Sequence, residues 1–169
     1  RMTDNPNGKV LEYGSKDHAI GGAVDNVYIE NLVIEKYPTA GLYGAIQASK
    51  HGGGSWIASG WTIKNCIVRW NHGVGIAVGN NCSVIDCKVV DNGEKGIGGG
   101  ANETGPRNVL IANTEMARNN YCLFQQGWDS AGIKLSKSVN VTLYNCHVHN
   151  NRGNGVWFDF ECLNSNVIN

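Results

Sequence analysis

Short apolar stretches with alternating polar positions recur along the chain, and five of them align without gaps. They are Val27 to Ile34, Trp61 to Val68, Cys82 to Val89, Val109 to Met116 and Val141 to Val148. Asn164 to Asn169 begins like a sixth. Each copy runs apolar, variable, apolar, variable, then Asn or Asp, then apolar positions one and three residues later. That is two short strands of period two joined at one bend. The bend falls on Asn31, Asn65, Asp86, Asn113 and Asn145. Asparagine suits a bend because its backbone enters the left-handed region cheaply, and stacked identical amides form a ladder.

A second half follows each bend: Gly44-Ala45-Ile46, Gly75-Ile76, Gly96-Ile97, Gly132-Ile133 and Gly155-Val156. The bend lies 11 residues before the apolar position in three copies, 15 in the first and 20 in the fourth. Fixed strands separated by turns of variable length predict a coil with three short faces. Bend-to-bend distances of 34, 21, 27 and 32 residues give a near-minimal coil and longer ones with loops. Helical repeats are excluded by the period of two and the β-branched residues. Leucine-rich repeats are excluded because no LxxLxL unit occurs, and a propeller blade needs roughly 40–45 residues and four strands. The expectation is an all-β chain, a solenoid of about five to six coils with inserted loops, forming one domain over residues 1–169.

Glycine supplies 23 residues and proline only 3. Without a period of three, this composition means frequent sharp turns and not collagen. Basic and acidic residues balance at 14 each, so nothing global favours nucleic acid or an anionic membrane. No apolar run approaches the ~20 residues of a membrane span. The chain starts at Arg1 with no basic-then-apolar leader, as a mature form or a piece of a longer chain would. The sequence stops at Asn169, on what would be the next bend, so either end-to-end association or continuation in a longer chain is expected, because an open coil presents unpaired strand edges.

The residue after each bend is expected to point inward: Leu32, Cys66, Cys87, Thr114 and Cys146. Parallel side chains stacked ~4.8 Å apart suit disulfide geometry poorly, so reduced, buried thiols are expected there. Cys82, Cys122 and Cys162 lie in or near loops and stay open.

The repeat resembles the right-handed parallel β-helix of the pectate-lyase-like superfamily, over about residues 20 to 169. That resemblance implies a secreted or cell-surface protein acting on polysaccharide. The fold is also similar across lyases, hydrolases, epimerases, tailspikes and adhesins, so it does not fix the chemistry. The paired aspartates and Gly-His-Gly of polygalacturonases are missing, as is the Asp-Pro-His-Glu of mannuronan epimerases. Gly155-Val156-Trp157-Phe158-Asp159-Phe160-Glu161 looks like a segment of uncharacterised bacterial β-helix proteins, which implies a bacterial source.

Candidate chemistry sits on the strand of the second half. Its outward column is expected to read Gln47, Ala77, Gly98, Lys134 and Trp157, and two residues later Ser49, Gly79, Gly100, Ser136 and Asp159. Small residues would form a flat floor beside bulky polar and aromatic ones, a saccharide groove. Loops bring Trp56, Tyr121, Trp128 and Asp129, and aromatic faces with polar edges suit sugars. The alternative is that these loops cap the core. Substrate contacts are therefore expected from Gln47, Trp56, Tyr121, Trp128 and Trp157.

Lys134 is the candidate base of a lyase, flanked by Asp129 and Asp159. Carboxylates beside it oppose that role unless a metal occupies them. Asp159 and Glu161 alternate with Phe158 and Phe160, so both are expected on one side, where they suit calcium. In a hydrolase, Asp129 and Asp159 would be acid and base. The alternatives are a surface salt bridge for Lys134 and a charged edge for the carboxylates. A different class stays open, a noncatalytic carbohydrate-binding or tailspike-like module.

Overall fold

In the computed structural model, which describes residues 13–49, 57–100 and 104–169, the expected coil is present as three parallel sheets. Sheet A has six strands, from Ile20–Gly21 to Asn154–Phe158; sheet B has six, from Tyr28–Glu30 to Leu163–Ile168; sheet C has five, from Val33–Glu35 to His147–His149. The chain passes from A to B to C on each turn, and every named strand pairs with its counterpart one coil away. Parallel sheets covered on both faces are built from apolar runs. Here the three sheets enclose a common core with their inner faces only, so sheet B and C strands alternate, as Thr62 and Lys64 stand half exposed about buried Ile63.

The repeat alignment fixes the register. Ile29, Ile63, Val84, Ile111 and Leu143 pair in order in sheet B. Ile34, Val68, Val89, Met116 and Val148 do so in sheet C. Cys66, Cys87 and Thr114 are buried in one file that ends on half-buried Cys146, and the cysteines carry free thiols. Thr114 replaces a thiol without breaking the file, because its hydroxyl donates to Ala112 O (2.8 Å) and accepts from Cys87 N (3.3 Å). Leu32 departs from the expectation: it is 43% exposed. It lies in the first coil, on the terminal strand pair of sheets B and C, where no described strand stacks beneath its corner.

The bend asparagines take up the left-handed backbone as expected, with φ between 48° and 62° at Asn31, Asn65, Asp86, Asn113 and Asn145. Their exposed side chains link neighbouring coils, Asn65 to Asn31 at 2.6 Å and Asn145 to Asn113 at 2.8 Å. Two further files were not anticipated. At the corner entering sheet B, Asn81, Asn108, Asn140 and Asn164 bond in succession at 2.9 to 3.2 Å. At the corner leaving sheet C, Asn71, Asn92, Asn119 and Asn151 form an internal ladder at 2.9 to 3.1 Å. Each of its amides also donates to a main-chain carbonyl of the preceding coil, as Asn92 does to Val68 O at 3.1 Å.

The two kinds of file differ in energy. Asn92 is fully buried and accepts from both the main-chain and side-chain nitrogens of Asn71. Removing its amide orphans several buried groups at ~1–3 kcal/mol each. Asn92→Ala is therefore expected to cost about 3 kcal/mol or more, whereas Asn113→Gly, exposed and left-handed, is expected to cost under about 1 kcal/mol. Urea unfolding of both variants checks this, and equal losses would contradict it.

Candidate active site

Lys134 lies on the Ala131–Leu135 strand of sheet A, in register with Gly98 on one side and Trp157 on the other. Gln47, Ala77, Gly98, Lys134 and Trp157 thus form the expected column. It does not form an open floor. Gln47, Ala77 and Lys134 are buried. Gln47 spends its amide on Gly44 N and Ser49 O of its own strand and offers nothing to a ligand. The middle of the column is covered by Lys95. A Cβ at Gly98 would stand 2.5 Å from Lys95 Cε, so a larger residue there would displace the lysine from its present path.

Lys95 belongs to a buried charge cluster together with Lys134. Its ammonium pairs with Asp129 and lies 3.6 Å from Glu94. Lys134 Nζ sits 3.1 Å from Asp129 Oδ1 and 3.0 Å from Asp159 Oδ2, donates to Trp128 O at 2.6 Å, and stands 4.1 Å over the Trp157 ring. Local structure places each group. The one-turn helix Gln126–Asp129 closes the fourth-coil insertion and turns Asp129 inward, leaving Trp128 51% exposed. Asp159 follows the last sheet A strand, its amide bonding Leu135 O at 2.8 Å and its carboxylate accepting from Ser136 Oγ at 3.3 Å.

Sequence reasoning brought Lys134, Asp129, Asp159, Trp128 and Trp157 to one place, and the structure groups them. It missed Glu94 and Lys95. Gly93-Glu94-Lys95-Gly96 reads as a solvated charged turn, and the insertion that buries it lies 25 or more residues away in sequence. Other expected residues are elsewhere. Tyr121 lines a separate cleft near Trp70, and Trp56 lies outside the described residues. Asp159 and Glu161 do not share a side: the strand ends at Phe158, and Glu161 turns away with φ +59°. Glu161 instead pairs with Lys137 at 3.2 Å. Each carboxylate expected to hold calcium is thus taken by a lysine, and the described residues contain no group of three metal-ligating side chains. The arrangement does not fit a calcium site.

The electrostatics of the cluster turn on Glu94. It is fully buried, its Oε2 accepts from Leu42 N at 2.6 Å, and its Oε1 has no donor among the described residues. Burial pushes its carboxyl up to about 7, against the pull of Lys95. The negative charge of Asp129 raises it further. Asp129 is itself pushed up by burial, but Lys95, Glu94 and Lys134 outweigh that and hold it below the usual carboxylate range. Burial likewise opposes ionisation of Asp159, and the Lys134 bond overrides it. With Glu94 neutral, two ammonium groups balance two carboxylates; ionised, it leaves an uncompensated buried charge.

The family comparison agrees with this architecture. A family model described as the right-handed β-helix region matches residues 51–169, and the chain belongs to that family. The family occurs in pectate-lyase-like and other polysaccharide-related proteins. No curated protein matches the sequence. Among the described residues no helix is long and apolar enough to cross a membrane.

The raised value of Glu94 has a pH signature. A carboxyl lifted from 4.5 to about 7 on folding contributes stability that is complete below its ordinary value and lost as pH rises through about 7. Glu94→Gln keeps the shape and removes the titration. The wild type is expected to lose stability relative to Glu94→Gln between about pH 4.5 and 7. Thermal unfolding across that range checks it, and a pH-independent difference would contradict it.

Proposed function

We propose that this β-helix acts on a polysaccharide held against the outer side of sheet A at its last coils, and that the chemistry is hydrolysis. The observation that carries the reading is the Lys134 ammonium held between Asp129 and Asp159 above the Trp157 ring. Half-buried Trp157 and exposed Trp128 supply apolar faces beside charged edges, the surface a sugar ring requires. A secreted or cell-surface location, in a bacterium, accompanies this reading.

Elimination is the less favoured chemistry. A lyase base needs a free lone pair, yet the Lys134 nitrogen is ion-paired with two carboxylates and donates to a carbonyl. Glycoside hydrolysis needs one protonated and one ionised carboxyl. Asp159 is ionised, and its side chain is 23% exposed, so it is the group that meets substrate, as nucleophile or base. Asp129 is ionised in the free protein, so it serves as acid only after a bound sugar displaces Lys134 from it and the Glu94 proton passes to it. Both carboxylates touch one nitrogen, so their oxygens are no further apart than those two contacts end to end. That bound holds for Asp129 Oδ1 and Asp159 Oδ2 alone; the separation of the whole carboxyl groups sets retention or inversion, and the anomer first released reports which.

A second reading, saccharide binding without cleavage, is favoured by one observation: Asp129 is buried beneath Trp128. A polysaccharide panel assayed for both unsaturated products and reducing ends separates the readings. Hydrolysis gives reducing ends alone, Asp159→Asn abolishes it, and Lys134→Ala only weakens it. Unsaturated products lost with Lys134→Ala would establish a lyase instead. If a substrate responds and neither change lowers turnover tenfold, the site lies elsewhere on the coil.

A further inference from the structure

A second aromatic surface lies away from Lys134. A cleft of about 490 Å³ opens at the corner between sheets C and A, bordered by Tyr13, Lys36, Tyr37, Trp70, His72 and Tyr121. Its volume is in the range of small-ligand sites. Residues from the first, second and fourth coils meet there, so it runs along the stack.

Trp70 is the informative residue. It occupies the left-handed corner position (φ +55°) held in the other coils by Lys36, Asp91, Arg118 and Asn150. The corner imposes that conformation in every coil whatever the residue, so the bend accounts for the backbone and not for the choice of an aromatic ring. Core packing does not require it, because Trp70 is 43% exposed. Its ring is nevertheless held in place. The Arg69 guanidinium lies 4.1 Å from the ring centroid and is itself fixed by Glu35 at 2.8 Å. His72 is steadied by Thr39 O at 2.9 Å and by the edge of Phe124. Tyr121, 49% exposed, faces the same cleft from the fourth-coil insertion.

We propose that this cleft is a second saccharide-binding site, taking pyranose units by stacking on Trp70 and Tyr121 with hydrogen bonds from the His72 and tyrosine edges. The inference rests on the reading that the chain handles polysaccharide. A flat apolar ring face with a polar rim is the ligand chemistry that aromatic platforms flanked by donors and acceptors match. The site is separate from the charge cluster, so it anchors a chain without touching the reacting bond.

The test uses the full chain, with the tryptophan indole N–H signals followed by NMR during titration with cello-, xylo-, manno- and galacturono-oligosaccharides. Trp70 and Trp157 report on the two surfaces separately. The expected result is that one series moves both indoles. Trp70→Asn, matching the residue at this corner in the fifth coil, is expected to weaken calorimetric binding of that series at the cleft about tenfold while the Trp157 indole still shifts. Tyr121→Ala, from a different coil, is expected to do the same. If Trp157 moves and Trp70 does not, the cleft proposal is overturned and the sheet A reading stands. If Trp70 moves alone, the cleft stands and the sheet A reading fails. If neither moves with any series, both are overturned.

Discussion

An asparagine amide buried in a protein corner has to find two donors' and one acceptor's worth of partners, and a single coil of this chain cannot provide them. Asn92 bonds Val90 O in its own coil and completes the set by reaching one coil back, to Val68 O, and one coil on, to Asn119 Oδ1. Asn71, Asn119 and Asn151 continue the chain of bonds. A one-residue slip of any strand would break the amide file and turn the apolar columns outward together. The register that aligns Ile76, Ile97 and Ile133 inside is the register that sets Gly98, Lys134 and Trp157 side by side outside. The candidate site therefore inherits its geometry from a ladder on the other flank of sheet A.

That coupling explains what the sequence reveals. Two strands of period two around a bend are local, and they repeat, so the sheet B and C columns follow directly from the alignment. The exposed asparagines are legible because they break an apolar run. The other two files hide among Gly- and Asn-rich turns, although their spacing is regular: Asn81, Asn108 and Asn140 fall five residues before the bend, and Asn71, Asn92, Asn119 and Asn151 six after it. A count from the bend finds them; the local composition does not. Leu32 misleads for a different reason, since a repeat alignment treats a terminal coil like an interior one.

The site was half legible. Lys134, Trp157 and Asp159 follow from column position, because sheet A repeats. Glu94 and Lys95 do not, because their burial is created by the fourth-coil insertion and by the Leu42 turn, neither of which repeats. The small residues suggested an open floor, and the physical role of Gly98 is the reverse: it makes room for a lysine that fills the space. A buried network of this kind holds its members rigidly only when every polar atom is partnered. Here the last unpartnered oxygen belongs to Glu94, so one proton completes the network.

If the internal ladder sets the register, its side-chain amides open only when the stack itself opens. Hydrogen exchange measured by NMR on the side-chain amides of Asn92 and Asn119 compares them directly with the exposed amides of Asn113 and Asn145. The account predicts that the buried pair is protected as strongly as the backbone amides of Ile97 and Ile111, while the exposed pair exchanges orders of magnitude faster. Equal exchange at the two corners would contradict it.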